Sequence, residues 1–246
     1  MRTLLLAFLF VNSLLSSGSA QSEQVTITSS STGFFISDSG HLITTYHGIE
    51  NKTVFVMTSE KKLMPTEIIK IDKETDLALL KIAAITPFLY IAQPESISPG
   101  MEVATIGYPM MSVQGLSPKI SIGIINSASG FKEDKTGFQF DASTFRGSSG
   151  GPVIGPGGLV VGVVRGKLNS TKMLERMNEL VVNVNYAISS QVLLEFLKSV
   201  TGLPSPKPLN LDSPLRPQKI YRDAKSAVVL VVSKSSTPVS KTIELE

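Results

Sequence analysis

The sequence contains no cysteine and no tryptophan, and only two histidines. Without cysteine the chain has no disulfide framework, so packing alone must hold its fold together. The formal net charge of +3 is close to neutral for 246 residues, which gives no reason to expect nucleic acid or an anionic membrane as a partner. A chain of this length can bury a core of one or two domains.

Long apolar runs are also scarce, apart from one at the N-terminus. Residues 4–15 form a largely apolar run after Arg2, and the small residues Gly18, Ser19 and Ala20 follow it. This is the pattern of a signal peptide cleaved after Ala20. A membrane span needs roughly 20 apolar residues, so this run is too short to be one. We therefore expect residues 1–20 to be removed and the rest to be secreted or periplasmic, with no stable membrane insertion.

Short apolar runs rich in β-branched residues recur along residues 24–188, at roughly ten-residue intervals marked by turn residues. Examples are Gly33–Ile36, Leu42–Thr45, Thr53–Met57, Leu77–Ile82, Glu102–Ile106 and Leu159–Val164. Regular short strands of this kind are typical of an all-β sandwich or barrel. The alternation of strands with long helices that marks a parallel α/β sheet is not indicated. The sequence therefore predicts an all-β fold.

The C-terminal part has a different pattern. A helix is predicted over residues 189–200, where Ser189 is a good N-cap and the apolar residues that follow share one face. Five prolines in residues 203–217 predict a linker or an extended strap over the surface. Residues 227–232 are a strand candidate within the tail, residues 218–246.

Two short segments carry an imidazole and a carboxylate in suggestive positions. His47 ends a strand that follows a hairpin turn, so the ring can be held rigidly and still reach a cleft. Asp76 stands at the start of the apolar strand Leu77–Ile82, so its carboxylate will be partly buried and will need a hydrogen-bond donor such as an imidazole N–H. Taken singly, each has an ordinary explanation: a surface or core histidine, and an aspartate in a turn.

The third segment, Gly147–Pro152, is the most specific. Glycines on both sides of Ser149 let the backbone turn sharply and let a substrate come close. In such a loop the N–H groups of Gly147 and Ser149 can converge on one point and form an oxyanion hole for a tetrahedral intermediate. The alternative is a glycine-rich hairpin turn.

The same segment fits the G-x-S-x-G pattern of α/β-hydrolases. That fold requires the acid and the histidine to follow the serine, and a helix to begin at it. Both histidines precede Ser149, and Pro152 with the strand-like Val153 follows it. The sequence therefore excludes a hydrolase of that class.

The order His47, Asp76, Ser149 is the order of chymotrypsin-type enzymes. At this point the chain resembles the trypsin-like peptidases of the HtrA/Deg group. Six segments carry the resemblance, in that group's order: Ser31–Gly40, Leu42–His47, Thr75–Ile82, Gly100–Pro109, Gly147–Pro152 and Asn183–Ile188. Three positions depart from the group's pattern without removing a catalytic group: Gly48, Arg146 and Ser148.

The resemblance implies a fold of two chymotrypsin-like antiparallel β-barrels with a C-terminal helix. The protease domain is expected over residues 21–202, with the barrels over about 24–95 and 96–188. The opening strand of the first barrel is hard to find before Thr28, whereas residues 226–232 look like it. We therefore hypothesise that the C-terminal tail folds back and pairs with the first barrel.

The resemblance also implies the activity, a serine endopeptidase that acts on polypeptide substrates. His47 is the expected general base, Asp76 orients it, and Ser149 is the nucleophile. The N–H groups of Gly147 and Ser149 are the expected oxyanion hole. This chemistry needs no metal and no cofactor.

Substrate preference and assembly are only weakly indicated. The position where trypsin relatives carry the acid that selects basic side chains is Ser143, so an apolar or small pocket is expected instead. We place Thr144 and Phe145 at its floor, and Val163 and Val164 in its wall. The residues after 200 are too few for a regulatory PDZ domain, because a whole domain typically has about 50 or more residues. No long aromatic extension of the kind that builds trimers precedes residue 28, which favours a monomer and leaves the assembly open.

One alternative from another functional class remains. Folds are reused for other functions, so the chain could be an exported binding protein on a protease fold, either non-catalytic or latent. The sign of a non-catalytic protein would be a missing triad residue, and none is missing. A latent enzyme would keep all three triad residues, so the sequence does not distinguish it from an active one. His41 directly follows a turn, and we interpret it as a surface residue of a hairpin.

Overall fold

The computed structural model describes residues 29–50, 52–58, 60–94, 97–167, 178 and 182–235. The expected signal peptide, residues 1–20, lies outside the described residues, as does the end of the tail. Within the described ranges, no helix is both long enough and apolar enough to cross a membrane.

Most of the regular structure is antiparallel sheet. The strands are Ser29–Phe35 (β1), His41–Thr45 (β2), Lys52–Met57 (β3), Leu63–Pro65 (β4), Glu67–Asp72 (β5), Leu77–Lys81 (β6), Glu102–Gly107 (β7), Lys119–Ser127 (β8), Gly137–Phe140 (β9), Pro152–Ile154 (β10), Val160–Lys167 (β11), Asn185–Ser189 (β12) and Val228–Ser235 (β13). The α-helices are Tyr46–Ile49 (α1), Met111–Gln114 (α2), Ser190–Leu197 (α3) and Pro217–Ala224 (α4), and single 3₁₀ turns lie at Phe131–Glu133 and Pro156–Gly158.

The strands form two bodies. The first is a seven-stranded sheet in the order β4-β3-β13-β1-β2-β6-β5, and the second is a closed barrel in the order β10-β11-β12-β9-β8-β7. The prediction of an all-β, chymotrypsin-like fold with a helix after the last barrel strand is confirmed. The first body is a half-barrel, because its edge strands β4 and β5 do not pair with each other.

The last strand of the chain lies inside the first sheet. β13 pairs antiparallel with β1 along one edge and with β3 along the other, with Leu230 opposite Thr32 and opposite Met57. Its residues are buried on both faces, which explains why an unbroken apolar run forms a strand here. The hypothesis that the tail pairs with the first barrel is confirmed.

The residues between the second barrel and β13 are held against the body. The N–H of Lys207 donates to the carbonyl of Ile91 at 2.9 Å, and its carbonyl accepts from the N–H of Gln93 at 2.8 Å. The proline-rich segment is therefore hydrogen-bonded to the surface of the domain at this point. After it comes helix α4, which the sequence did not predict. Pro217 stands at its first turn, where the missing N–H removes no intrahelical bond. This amphipathic helix buries Ile220 and Ala224 on one face.

The largest core cluster joins the two bodies. It combines side chains of the first sheet, the barrel, both C-terminal helices and β13, among them Phe34, Leu79, Ile106, Val163, Leu193, Ile220 and Leu230. A second cluster fills the barrel, and a third lies on the face of the first sheet opposite the largest cluster. Because one core spans both bodies, residues contributed by each are held in a fixed relation at their junction.

Candidate active site

His47 and Asp76 are brought together by the pairing of β2 with β6. In that register Thr45 lies opposite Leu77, so the residues just beyond β2 face the residue just before β6. His47 lies in α1, the single helical turn that follows β2, and its side chain is about half exposed. Asp76 is buried at the start of β6 with a φ of +61°, a conformation that aspartate tolerates better than most residues.

Asp76 makes two hydrogen bonds with His47 and one with the neighbouring Tyr46. Its main-chain oxygen accepts from the N–H of Tyr46 at 3.0 Å, and its Oδ1 accepts from the N–H of His47 at 2.9 Å. Its Oδ2 lies 2.7 Å from Nδ1 of the His47 ring. An ionised carboxylate only accepts, so the ring proton is on Nδ1 and the other ring nitrogen, Nε2, is left as a base.

The loop of Ser149 is shaped by its glycines. Gly147 and Gly150 have φ values of +98° and +84°, which other residues rarely adopt. A Cβ at Gly150 would also lie 2.2 Å from the oxygen of Thr32 and 2.4 Å from Oγ1 of Thr44. This loop therefore packs directly on β1 and β2. Its contact on β2, Thr44, lies only three residues before His47 in the chain.

Ser149 is half-buried at this junction. Its main-chain oxygen accepts a 2.9 Å hydrogen bond from the N–H of Thr32 on β1. Within the described residues no hydrogen bond joins its side chain to His47. Contacts between nucleophile and base are often long in substrate-free sites and tighten when substrate binds.

Two main-chain N–H groups of this loop donate to no acceptor among the described residues, those of Gly147 and Ser149. The preceding carbonyls are both engaged: that of Arg146 accepts from Met110 N–H at 2.7 Å, and that of Ser148 accepts from Gly151 N–H at 3.0 Å. In a planar trans peptide the N–H points away from the carbonyl. The N–H groups of Gly147 and Ser149 therefore point away from Met110 and Gly151, the residues that hold the two carbonyls.

An arginine approaches the acidic side of the pair. Arg165, on β11, has its Nε 4.0 Å from Oδ2 of Asp76 and its Nη1 3.6 Å from Oδ2 of Asp134. Hydrogen bonds from the backbone and hydroxyl of Thr136, together with Arg165, hold the pKa of the Asp134 carboxyl below its ordinary value. Arg165 was not singled out from the sequence, although a charge directly after the apolar run that ends at Val164 was a signal for it.

The family model of the trypsin-like peptidase domain matches residues 31–163 of the 246. The chain belongs to the trypsin-like peptidase family. Its similar proteins include serine protease HTRA1 of Xenopus tropicalis, which is 31% identical over 178 residues that cover 68% of this chain and 35% of that protein. A probable periplasmic serine endoprotease, DegP-like, of Rhizobium meliloti is 33% identical over 139 residues, or 53% of this chain and 26% of that protein.

Among solved structures, the fold is similar to that of the HtrA-type protease AlgW with decapeptide. The TM-score is 0.58 at 22% sequence identity, and the match covers 69% of this chain and 50% of that one. The resemblance to the HtrA group is thus confirmed. The chain spans only 26 to 35% of the length of the two curated relatives named above.

The residues predicted to form a substrate pocket lie in different environments. Phe145 is exposed, whereas Thr144 is buried and its hydroxyl donates to Oδ1 of Asn185. Val163 and Val164 are buried in the core, so they could border a pocket only through their backbone. The pocket stays a prediction. Asn185, which also donates to the carbonyl of Ala142 at 3.0 Å, anchors this segment and was not singled out by sequence.

The second histidine, His41, lies away from the pair of His47 and Asp76. His41 was expected at the surface, but it is buried, and the structure corrects that interpretation. Its Nδ1 lies 2.9 Å from the hydroxyl of Ser37 and 3.1 Å from that of Ser39. The turn before it folds these hydroxyls over the ring, which a local pattern of turn residues does not indicate.

Across the described ranges, no group of three or more His, Cys, Asp or Glu side chains is arranged to hold a metal ion.

Proposed function

We propose that this chain is an exported serine endopeptidase that hydrolyses polypeptides through His47, Asp76 and Ser149. The observation that carries the proposal is the double hydrogen bond between His47 and the Asp76 carboxylate, at 2.7 and 2.9 Å, beside a loop that presents Ser149. The family membership and the serine proteases among its relatives support the same reaction.

The proposed reaction begins with proton transfer. Nε2 of His47 takes the proton of Ser149 Oγ while that oxygen attacks the peptide carbonyl, and the carbon–oxygen double bond becomes a tetrahedral oxyanion. Asp76 stabilises the imidazolium that forms and keeps the ring oriented. His47 then gives the proton to the leaving amine, which breaks the peptide bond and leaves an acyl-enzyme. A water molecule, deprotonated by His47, hydrolyses the ester and regenerates Ser149.

We assign the oxyanion hole to the N–H groups of Gly147 and Ser149. Their freedom from other acceptors among the described residues supports this, because a donor already engaged within the protein could not stabilise the intermediate. Such donors act strongly because they are oriented before the reaction begins.

Export is part of the proposal. It is supported by the signal-peptide pattern of residues 1–20 and by the relative of Rhizobium meliloti, whose name describes a probable periplasmic endoprotease. N-terminal sequencing of the protein recovered from a bacterial periplasm or medium tests it. We expect Gln21 as the first residue, and recovery of the uncleaved chain from the cytoplasm would contradict export.

Labelling with a fluorophosphonate tests the catalytic assignment. We expect the wild-type protein to be labelled at Ser149, and the variants Ser149→Ala and His47→Ala to lose labelling and to hydrolyse casein more slowly by roughly 10⁶-fold. Ser148→Ala is the matched control, because it removes the adjacent, buried hydroxyl and should leave Ser149 reactive. A folded wild-type protein that is neither labelled nor active on casein would favour the latent or non-catalytic alternative.

A further inference from the structure

The side chain of Thr32 links the first sheet to the loop that carries Ser149. Thr32 lies in β1 and is fully buried. Its Oγ1 lies 2.7 Å from the carbonyl oxygen of Gly147 and 3.0 Å from the main-chain nitrogen of Tyr108. Tyr108 directly follows strand β7 of the closed barrel, and Gly147 lies in the loop before strand β10 of the same barrel. One hydroxyl therefore connects β1 of the first sheet to two segments of the barrel, including the loop of Ser149.

The direction of these two hydrogen bonds is fixed by chemistry. A main-chain N–H can only donate, so the hydroxyl accepts from Tyr108. A hydroxyl has a single proton, and the carbonyl of Gly147 can only accept, so that proton goes to Gly147. The single proton of Thr32 is therefore engaged by Gly147, and the hydroxyl cannot donate to another partner without releasing that carbonyl.

The space around Thr32 allows little movement. A Cβ at Gly107 would lie 2.8 Å from Oγ1 of Thr32, and a Cβ at Gly151 would lie 3.2 Å from its Cγ2. Thr32 thus lies in a slot between two glycines, and the slot is filled. The rest of the residue is fixed as well, since its N–H donates to Ser149 and its oxygen accepts from Thr44 Oγ1 at 2.8 Å.

Gly147 is the residue that most needs an external restraint. Glycine has the widest backbone range of any residue, so its own sterics do not fix the orientation of the peptides on either side. In this loop two carbonyls are held instead: that of Arg146 by Met110 and that of Gly147 by Thr32. The first bond orients the peptide that carries the Gly147 N–H, and the second orients the peptide from Gly147 to Ser148. Together they fix both dihedral angles of Gly147, and with them the orientation of the Gly147 N–H relative to the chain that leads to Ser149.

We propose that Thr32 is a positioning residue for the oxyanion hole, its hydroxyl holding the Gly147 carbonyl so that the N–H groups of Gly147 and Ser149 keep the relative orientation that a developing oxyanion needs. This inference rests on the proposed function. It assigns a role in catalysis to a residue that touches neither substrate nor the reacting atoms and that no sequence motif for the triad includes.

The test compares Thr32→Val, which keeps the shape and loses the hydroxyl, with Thr32→Ser, which keeps the hydroxyl. Thr86→Val is the matched control, because Thr86 is also buried and donates a 2.8 Å hydrogen bond to a carbonyl, that of Ser37, away from the site. The measurements on each full-length protein are the second-order rate of fluorophosphonate labelling, kcat and KM on labelled casein, and the melting temperature.

Removing one oxyanion donor lowers kcat by about 10²- to 10³-fold, and misdirecting one has a smaller effect. We therefore expect Thr32→Val to lower the labelling rate and kcat by about tenfold or more with KM nearly unchanged, and Thr32→Ser to stay within about threefold of the wild type. The melting temperature of Thr86→Val should fall by about as much as that of Thr32→Val. Its labelling rate and kcat should stay at the wild-type values.

Two results would overturn the inference. Wild-type rates in folded Thr32→Val would show that the hydroxyl does not position the loop, and equal losses in Thr32→Val and Thr32→Ser would show that keeping the hydroxyl does not keep the rate. A wild-type protein that is not labelled at all would overturn the proposed function itself, which separates the two failures. Should Thr32→Val fail to fold, the comparison passes to Thr32→Ser against Thr32→Cys, which differ only by a strong and a weak donor.

Discussion

Asp76 shapes the site more than any other single residue, because three of its oxygens hold two consecutive residues of the neighbouring turn. A buried carboxylate is costly to leave without partners. Here the donors are the main chain of Tyr46 and both the main chain and the ring of His47. One side chain therefore fixes the backbone position of the histidine and its tautomer at the same time.

His41 shows what the same residue type does without a carboxylate partner. Burial, and to a smaller degree the charge of Lys81, lowers its pKa from the ordinary value of 6.5. The unfolded chain then binds more protons than the folded protein below about pH 6.5, so the stability that His41 contributes is present above that pH and is lost as the pH falls through the folded pKa.

We therefore expect the wild-type melting temperature to fall more between about pH 7 and pH 5 than that of His41→Gln, which cannot titrate in this range. Thermal denaturation followed by circular dichroism over a series of buffers measures this. His47→Gln is the control, because it removes the exposed histidine. Parallel curves for the wild type and His41→Gln would show that the acid sensitivity arises elsewhere.

At the scale of elements, the C-terminal strand β13 completes the sheet that supports the site. It pairs with β1 along the stretch that contains Thr32, and Leu230 stands directly opposite Thr32. The strand is buried on both faces, and its alternate residues belong to the largest core cluster and to the cluster on the opposite face of the first sheet. Strand β13 is thus part of the framework that positions the loop of Ser149.

Leu230→Ala should lower the free energy of unfolding by about 2–5 kcal/mol, because it leaves a cavity in the core between the two bodies. Lys234→Ala, in the same strand but only partly buried, should change it by less than about 0.5 kcal/mol. Urea denaturation of both variants gives the comparison. Equal stability of the two would mean that β13 is not part of the cooperative core.

At the scale of the whole molecule, the candidate site exists only where the half-barrel meets the closed barrel. His47 and Asp76 come from the first and Ser149 from the second. The two are held together by the shared core, by Thr32, and by Tyr108, whose hydroxyl donates to the carbonyl of Val228 in β13 at 3.3 Å. Burial, with a contribution from Tyr221, raises the pKa of Tyr108 to about 12.

Tyr108→Phe removes this link, and we expect it to lower the free energy of unfolding at neutral pH by about 1 kcal/mol. Because folding raises the pKa of Tyr108, its contribution is fully present below the ordinary pKa of 10 and is lost as the pH rises toward 12. The stability of Tyr108→Phe should therefore fall less steeply in that alkaline range. Tyr46→Phe, which removes a more exposed hydroxyl, is the control, and a slope identical to wild type in Tyr108→Phe would contradict the assignment.

Much of this molecule could be predicted from local patterns. The alternation of short apolar runs with turn residues predicted the strands, and the order of three segments predicted the fold and the family. The glycines around Ser149 predicted a sharp turn, and they adopt the positive φ values that such a turn requires. These predictions succeeded because backbone conformation and strand burial depend on residues close together in the chain.

Only the tertiary structure decided the rest. Thr32 and Gly147 are 115 residues apart, and Tyr108 and Val228 are 120 apart, so no local pattern connects them. Helix α4 was missed because its first residue, Pro217, was read as the end of a proline-rich linker. The burial of His41 was missed because the turn before it was read as exposed, whereas the hydroxyls of Ser37 and Ser39 in that turn bond to the buried ring. The sequence by itself determined which segments turn, pair and carry reactive groups. Packing of the two bodies around one core decided which of those groups meet, because contacts between distant residues form only when the whole core does.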